Sequence, residues 1–431
     1  MSVDARRVAL ASAIGTTIEW YDFFIYGTAS AVVFAPQFFP QVSPLAGTLA
    51  SFATFAVGFI ARPLGGVVMG HFGDRTGRKS TLVWCLVLMG LSTFGIGMLP
   101  NYERIGLWAA LLLVLFRFVQ GFALGGEWGG AVLMSVEHAP QSKRGLFGSF
   151  VALGLPAGII LSNFVFLAVS NIVTPQQFAA WAWRIPFTAS VVLVAFGLFV
   201  RLNLAESPEF MEVQRAHAAR RMPVFDVLRA DGWTVLLAAG SYLGISATGY
   251  LVIVYFVSYA TRNLRFPLAT TLVLLQVAAI VFAASIVYFA SRSDRTGKRR
   301  MMLWGNGGLI LASLVFFPLI DTKSMWLAEL SLCFMLLVQG AYIGPQAAVF
   351  AESFPAAVRY SGASLSITVG TIFGGAIAPF LATALYGTTG SSWPITIYVV
   401  VLSLISWMCS FGLKEFQGRG EFRARLIQPH S

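Results

Sequence analysis

The chain has 431 residues, of which 57% are hydrophobic and only 11% are charged, and its mean hydropathy is +0.76. A soluble domain usually carries about a quarter charged residues, so this composition argues against a soluble protein and indicates a polytopic membrane protein. The net charge of +11 is no sign of nucleic-acid binding, because the basic residues cluster between apolar stretches.

Each membrane crossing needs roughly 20 residues in a helix, because hydrocarbon offers backbone groups no hydrogen-bond partner. The sequence predicts twelve such spans, at residues 12–36, 49–70, 80–99, 105–136, 146–170, 183–203, 233–259, 267–290, 301–320, 326–349, 361–386 and 393–413. Most of the 29 Lys and Arg residues then lie on one side of the membrane, and four lie on the other, namely Arg104, Arg262, Arg265 and Lys323. The positive-inside rule places the basic side and both termini in the cytoplasm.

The first span follows Arg6 and Arg7, as the apolar run of a signal peptide would, but Glu19 and Asp22 interrupt it. We therefore expect a retained first helix. Glu19, Asp22 and Tyr26 lie on one helical stripe. Because carboxylates facing lipid are disfavoured, the stripe should face the bundle interior, where its carboxylates are candidate proton sites or substrate contacts. A permanent ion pair with an arginine is the structural alternative.

Arg62 lies before the inner end of the second span, and either a structural pair near the gate or a substrate contact would explain it. The loop that follows contains Gly70 and Asp74-Arg75-Thr76-Gly77-Arg78-Lys79. Its glycines favour a tight turn between two helices, and its charged residues could latch helix ends together. The spacing of Gly73 and Gly77 does not match a nucleotide-binding loop.

The fourth span contains Arg117, Gln120 and Glu127, with Gly121, Gly125 and Gly129 four residues apart. Such glycines allow close approach of a neighbouring backbone. Arg117 and Glu127 are too far apart along the helix to pair easily, so Arg117 is expected to pair with Asp22 or Glu19, or to bind a substrate carboxylate. Glu127 is a further proton-site candidate.

Two charged clusters recur about half a chain later. The first returns as Asp294-Arg295-Thr296-Gly297-Lys298-Arg299, and Glu137-x-x-Pro140-x-x-x-Arg144 returns as Glu352-x-x-Pro355-x-x-x-Arg359. The order is the same in each half. The sequence therefore predicts a six-helix bundle at 1–203, a cytoplasmic linker at 204–232, a second bundle at 233–413 and a cytoplasmic tail at 414–431. The clusters are expected to form the cytoplasmic gate.

The second half lacks charges in the middle of its spans and offers neutral polar residues there. Its substrate-binding candidates are Tyr250, Gln276, Gln339 and Tyr342, beside Arg117, Tyr26 and Gln120 of the first half. Packing between helices is the alternative role for each. The three cysteines lie at unrelated spacing, so we expect no disulfide framework, metal site or cofactor.

Parallel six-helix repeats are the arrangement of the major facilitator superfamily, whose substrate site lies between the halves. The chain resembles one of its families, the metabolite:proton symporters, in six stretches: Glu19-Trp-Tyr-Asp-Phe-Phe, Arg62-Pro-Leu-Gly-Gly, Arg117-Phe-Val-Gln-Gly, Gly125-Gly-Glu-Trp-Gly-Gly, Trp183-Arg-Ile-Pro-Phe and Glu206-Ser-Pro-Glu-Phe. The resemblance implies an all-α membrane protein of twelve transmembrane helices in two pseudo-symmetric bundles. It also implies a bacterial inner-membrane carrier of shikimate, α-ketoglutarate, citrate, proline or betaine.

We expect a monomeric, proton-coupled importer of a small organic acid, such as a shikimate- or dicarboxylate-like metabolite. An osmolyte symporter for proline or betaine is an alternative, weakened because osmosensory members have a C-terminal coiled coil and the tail from Lys414 shows no such periodicity. A receptor that binds without transport, or an exporter, also fits the pattern. An enzyme is not expected, because no hydrolase or zinc-protease motif occurs and no histidine lies at mid-span.

Overall fold

The computed structural model describes residues 3–76, 78–125, 150–202, 223–354 and 359–413, and within these ranges all regular structure is helical. We number the twelve long helices α1 to α12. The first six are α1 (Val3–Val32), α2 (Pro44–Thr76), α3 (Arg78–Met98), α4 (Leu107–Gly125), α5 (Gly154–Ile172) and α6 (Ile185–Leu202). The second six are α7 (beginning as Pro223–Tyr250), α8 (Leu268–Thr296), α9 (Lys298–Ile320), α10 (Met325–Ser353), α11 (beginning as Arg359–Gly370) and α12 (Trp393–Gly412).

Eleven helical segments of the described residues are long and apolar enough to cross a membrane. They correspond to α2 through α12. The first helix does not reach this level of hydropathy, because Glu19 and Asp22 interrupt its apolar run. It nevertheless packs along α5 and α6, and Asp22 and Tyr26 on it are fully buried. The expected all-α architecture of twelve spans is confirmed, with α1 as the polar member of the set.

The helices form two bundles with the same internal pairing. In the first bundle α2 packs on α4, α1 on α5 and α3 on α6. In the second bundle α8 packs on α10, α7 on α11 and α9 on α12. Each pair in the second bundle is the first-bundle pair shifted by six helices, which is the pairing that a parallel repeat requires. The bundles meet where α5 contacts α8, α2 contacts α11 and α1 contacts α7.

Helices α7 and α11 are not regular along their length. The helix α7 continues through π-helical turns at Leu251–Tyr255 and Tyr259–Asn263, and α11 continues through a π-helical turn at Thr371–Ala376 to Ala378–Thr389. At the start of α7 the backbone breaks at Asp231 (φ −154°, ψ 45°), within the predicted linker. Helical backbone therefore begins at Pro223, earlier than the predicted span, and the break separates this first part from the membrane segment.

The two ends of the molecule differ in how the bundles meet. We call the end that carries the α2–α3 and α8–α9 junctions the motif face, and the opposite end the distal face. At the distal face Arg262 of α7 donates a hydrogen bond to Thr48 of α2, and a Cβ on Gly387 of α11 would come within 2.6 Å of Leu45 of α2. These contacts join the two bundles at the distal face.

The helices α2 and α4 approach each other at glycines. A Cβ on Gly121 would lie 1.9 Å from the carbonyl oxygen of Gly58, and one on Gly125 would lie 2.0 Å from that of Arg62. No side chain fits at such distances, so the backbones are in direct contact. The close approach predicted from the spacing of Gly121 and Gly125 is confirmed, and Gly129 lies outside the described residues.

Candidate functional site

A cavity of about 100 Å³ lies between the two bundles, in the part of the molecule nearer the motif face. Its walls come from α1, α2, α4 and α5 on one side and from α7, α10 and α11 on the other. Its polar and aromatic lining residues are Thr16, Glu19, Trp20, Arg62, Tyr242, Tyr250, Gln346, Ser364, Thr368 and Thr371. A small molecule held here would contact both bundles at once.

Arg62 is the basic residue of this cavity wall. Its Nε and Nη2 atoms are buried and have no hydrogen-bond partner. Its Cζ lies 4.5 Å from the ring centre of Phe59 and 4.9 Å from that of Phe23, within cation–π range. The hydroxyl of Tyr250 lies within hydrogen-bonding reach of the same guanidinium. The arginine is therefore held by aromatic rings while part of its donor capacity stays unused.

Behind the cavity, hydrogen bonds connect Arg117 to Asp22 through two neutral side chains. Arg117 donates from Nη1 to Oε1 of Gln120 over 2.9 Å. Gln120 donates from Nε2 to the hydroxyl oxygen of Thr93 over 2.6 Å, and that oxygen lies 3.0 Å from Oδ2 of Asp22. We call these four residues the relay. None of the Arg117 nitrogens donates to Asp22, so the expected direct pairing is replaced by an indirect connection.

The guanidinium of Arg117 is enclosed by aromatic rings. Its Cζ lies 4.1 Å from the ring centre of Tyr26 and 4.2 Å from that of Phe23. The side chain is fully buried, and its Nη2 atom has no hydrogen-bond partner. A Cβ on Gly58 would lie 2.6 Å from Nε, so this glycine makes room for the guanidinium. Phe23 therefore contacts both arginines, Arg62 from the cavity and Arg117 from the relay.

The Thr93 hydroxyl has one proton and two neighbouring acceptors. It lies 3.0 Å from Oδ2 of Asp22 and 2.9 Å from the carbonyl oxygen of Met89. An ionised Asp22 would accept the proton of Thr93. A protonated Asp22 could donate to Thr93, which would then donate to Met89. The second Asp22 oxygen, Oδ1, is buried without a partner.

The predicted residues occupy different layers of the structure. Glu19 and Tyr250 line the cavity together with Arg62. Asp22, Arg117 and Gln120 lie behind it in the relay, and the Tyr26 hydroxyl donates to Thr54 over 2.7 Å. In the second bundle, the structure places the other three candidates away from the cavity lining, namely Gln276, Gln339 and Tyr342.

Two of these three form polar contacts between helices. Gln339 donates to Thr248 over 3.1 Å, and the Tyr342 hydroxyl lies 2.9 Å from that of Ser241. For Gln276, the Oε1 atom is buried without a partner. Among the described residues no three His, Cys, Asp or Glu side chains come together as metal ligands would.

The second copy of the gate cluster is the better described one. The α8–α9 junction turns at Gly297 with a φ of 96°, a conformation that favours glycine. Lys298 forms an ion pair with Glu352, which ties the start of α9 to the end of α10. Asp294 is partly buried, and Arg295 is exposed.

The first copy of the gate cluster is only partly described. Three of its predicted residues lie outside the described ranges, namely Gly77, Glu137 and Arg144, and so does Glu127, the proton-site candidate of the fourth span. The structure describes the helical backbone alone for four others, namely Gly70, Asp74, Arg75 and Arg78, and likewise for Arg359 of the second copy. The gate roles stay predictions.

Several residues of the site were not expected from the sequence. They are Trp20, Thr93, Tyr242, Gln346 and Ser364. Tyr242 and Gln346 are polar residues within apolar spans and could have been found by that signal. A lone threonine or serine in a membrane helix usually bonds its own backbone, so the sequence carries no signal for Thr93 or Ser364.

Comparison with known proteins identifies the family. The model of the sugar (and other) transporter family matches residues 8–231 and 221–422. The shikimate transporter of Escherichia coli (strain K12) is 40% identical over 417 residues, covering 96% of this chain and 95% of the relative. The inner membrane metabolite transport protein YhjE of the same organism is 43% identical over 382 residues, covering 88% and 87%. The proline/betaine transporter of Salmonella typhimurium is 31% identical over 425 residues, covering 96% and 84%.

Solved structures show the same fold. The partially occluded inward open conformation of the xylose transporter XylE from E. coli matches with a TM-score of 0.76 at 17% identity, covering 97% of this chain and all of that one. Identity at this level supports the fold alone. The resemblance read from the sequence motifs is confirmed by these matches. The chain belongs to the sugar (and other) transporter family of the major facilitator superfamily, whose members are membrane transporters rather than enzymes.

Proposed function

We propose that the chain is a proton-coupled symporter that imports a small organic acid by alternating access. The observation that carries this proposal is the relay, which connects a fully buried carboxylate, Asp22, to a fully buried guanidinium, Arg117, directly behind a cavity between the bundles. Ionisable residues inside a membrane are costly and are expected to serve function. Proton coupling is the function that a buried carboxylate can supply.

The relay is suited to a group that gains and loses a proton. Thr93 can donate to an ionised Asp22, or it can accept from a protonated Asp22 and donate to the carbonyl oxygen of Met89. Rotation of one hydroxyl thus gives Oδ2 of Asp22 a hydrogen-bond partner in either state without moving a helix. Buried polar groups otherwise lose about 1–3 kcal/mol when they lack a partner, so this alternative lowers the cost of proton exchange.

Glu19 links protonation of the site to binding of the substrate. It lies one helical turn from Asp22 and lines the cavity. A substrate carboxylate beside an ionised Glu19 would be repelled, because charges interact strongly in a low-dielectric site. Protonation of Glu19 or Asp22 therefore favours binding of an anion, and this is the basis for symport.

The geometry of the two faces supports an inward-facing state. The cavity lies toward the motif face, while Arg262 and Thr48 join the bundles at the distal face. The basic loops belong to the motif face, which the positive-inside rule assigns to the cytoplasm, together with both termini. The related YhjE is an inner-membrane protein, and we assign this chain to the bacterial inner membrane as a monomer in lipid.

An organic acid is favoured over other substrates by Arg62 in the cavity wall and by the shikimate transporter among the relatives. A second candidate is a betaine-type osmolyte. Trp20, Tyr242 and Tyr250 line the cavity near Glu19, and aromatic faces with a carboxylate bind quaternary ammonium groups. The proline/betaine relatives give the same indication.

Reconstitution into proteoliposomes tests the proposal. We expect uptake of radiolabelled shikimate to be accelerated at least tenfold by an inward-directed proton gradient, and glycine betaine to be taken up poorly. Preferential uptake of betaine would move the assignment to the osmolyte class. Shikimate uptake that does not depend on the proton gradient would contradict symport.

Counterflow separates a carrier from a receptor. Vesicles preloaded with unlabelled shikimate should transiently accumulate labelled shikimate without any proton gradient, because a carrier exchanges substrate across the membrane. Protein-free liposomes measure leakage. Saturable binding without counterflow would instead indicate a receptor.

A further inference from the structure

Residues on both walls of the cavity carry buried polar atoms that have no hydrogen-bond partner. On the first bundle these are Nε and Nη2 of Arg62, on α2. On the second bundle they are Nε2 of Gln346, on α10, and Oγ of Ser364, on α11. All three residues line the same cavity. A buried polar atom without a partner is costly, so three such residues around one cavity indicate a ligand that supplies the missing partners.

The two walls differ in chemistry. Two guanidinium nitrogens on adjacent positions match the two oxygens of a carboxylate, which arginine binds as a bidentate pair. An amide nitrogen donates a hydrogen bond, and a serine hydroxyl can donate or accept one. The second wall is therefore suited to neutral oxygen groups such as hydroxyls.

We propose that Arg62 binds the carboxylate of the substrate, and that Gln346 and Ser364 bind hydroxyl groups at its other end. This inference rests on the proposed function, and it narrows the substrate class to a compact hydroxylated monocarboxylic acid. The substrate bridges α2 of one bundle and α10 and α11 of the other. Its release removes that bridge, which connects binding to the relative movement of the bundles.

Arg117 is less suited to this contact than Arg62. Its Nη1 is already bonded to Gln120, and its Nε lies 3.4 Å from the carbonyl oxygen of Phe55. It is fully buried behind the rings of Phe23 and Tyr26, outside the cavity lining. The geometry thus gives the two arginines different roles, with Arg62 facing the substrate and Arg117 facing the proton site.

The aromatic rings next to Arg62 prepare it for this role. Phe59 and Phe23 hold the guanidinium carbon within 5 Å of their ring centres. A guanidinium fixed in this way loses little conformational freedom when a carboxylate binds. Lysine cannot reproduce the planar fork or the stacking, so the conservative substitution is informative.

Calorimetric titration of the purified full chain in detergent tests the proposal with three probes. Shikimate carries a carboxylate and hydroxyls, its methyl ester lacks the negative charge, and cyclohex-1-enecarboxylate lacks the hydroxyls. The wild-type protein should bind shikimate at least tenfold more tightly than either analogue. Each preference should then depend on a different wall of the cavity.

The Arg62→Gln variant should bind shikimate and its ester within about twofold of each other, while the preference for hydroxyls remains. The Gln346→Leu variant should lose most of the preference for hydroxyls and keep the preference for the acid. Arg62→Lys should retain part of the acid preference, and it provides the same test if Arg62→Gln cannot be purified. The matched control is Asn163→Leu, because Asn163 on α5 also has a buried amide nitrogen without a partner but lies outside the cavity lining. It should keep both preferences.

Two outcomes would overturn the inference while leaving the proposed function in place. One is tight binding of shikimate with an unchanged acid preference in Arg62→Gln. The other is an unchanged hydroxyl preference in Gln346→Leu. If the wild-type protein binds none of the acids but binds glycine betaine, the proposed organic-acid function itself is wrong.

Discussion

The two bundles share a motif but not its charge. In α4 the sequence Val119-Gln120-Gly121 follows Arg117, and in α10 the sequence Val338-Gln339-Gly340 follows Leu336 at the matching position. Gln120 bonds Thr93 and connects an arginine to a carboxylate. Gln339 donates to the neutral hydroxyl of Thr248. The same amide therefore belongs to a charged network in one bundle and to a neutral contact in the other.

The close approach of neighbouring helices at glycines, in contrast, is repeated. A Cβ on Gly121 of α4 would lie 1.9 Å from the carbonyl oxygen of Gly58 on α2, and one on Gly340 of α10 would lie 1.9 Å from the side-chain oxygen of Ser285 on α8. Four residues later, a Cβ on Gly125 would lie 2.0 Å from the carbonyl oxygen of Arg62 on α2, and one on Gly344 would lie 2.9 Å from that of Ile286 on α8. The repeat therefore preserves close contacts between helices, while the relay of Asp22, Thr93, Gln120 and Arg117 lies in the first bundle.

Placing an arginine at the matching position of the second bundle should have the largest effect on stability. Leu336→Arg would place a guanidinium at a fully buried site that an apolar side chain now occupies. We expect a loss of about 3–5 kcal/mol of stability, the usual cost of an uncompensated buried charge. Thermal unfolding in detergent measures it. A melting temperature within about 2 °C of wild type would contradict the view that the two sites differ in polarity.

Removing the arginine from the first bundle should abolish proton-driven uptake. Arg117→Leu makes α4 resemble α10 at this position and removes a guanidinium whose Nη2 has no partner. Gln120 loses the donor to its Oε1 in this variant, and a buried polar atom left without a partner costs about 1–3 kcal/mol, so uptake is compared at equal amounts of folded protein. Gradient-driven shikimate uptake should fall at least 100-fold. Uptake above a tenth of the wild-type rate would count against the relay.

A methyl group added next to Arg117 should have an intermediate effect on proton-driven uptake. In Gly58→Ala the new Cβ would lie 2.6 Å from Nε of Arg117, so the guanidinium must shift. We expect proton-driven uptake to fall about tenfold, equivalent to about 1.4 kcal/mol. Gly249→Ala is the matched control, because its Cβ would meet Gln339 at an ordinary 3.4 Å. Equal effects of the two substitutions would contradict the assigned asymmetry.

The ion pair between Lys298 and Glu352 should contribute least to stability. Lys298 and Glu352 are partly exposed, with 19% and 34% of their side-chain surface accessible. Lys298→Ala should cost less than about 1 kcal/mol, as exposed pairs do. Chemical unfolding in detergent measures this cost, and a loss above about 3 kcal/mol would show that the pair is a main support of the second bundle.

Much of the fold follows from the sequence because apolar length and repeated clusters are local signals. The twelve spans, the two bundles and the contact of Gly121 with α2 are such cases. The position of each site residue relative to the cavity does not follow from the sequence. Arg62 and Arg117 are both single arginines in apolar spans, and only tertiary packing places the first in the cavity wall and the second behind it.

The relay could not be predicted because Thr93, which connects Gln120 to Asp22, is an ordinary threonine. Thr93 lies in α3, which has no charged residue near it in sequence to mark the position. The stripe of Glu19, Asp22 and Tyr26 was visible because carboxylates are rare in membrane helices. Which helix would supply their partners depends on the packing of the bundle.

The central claim is that the proton site lies in the first bundle at Asp22. Measuring the protons that enter together with the substrate tests this claim most directly. Proteoliposomes with a pH-sensitive dye inside are given external shikimate without a proton gradient, and counterflow is measured on the same preparations. Wild-type protein should acidify the lumen beyond the leak of protein-free liposomes. Asp22→Asn should still perform counterflow but produce no acidification above that leak. Acidification at the wild-type rate by an Asp22→Asn protein that still performs counterflow would contradict the account.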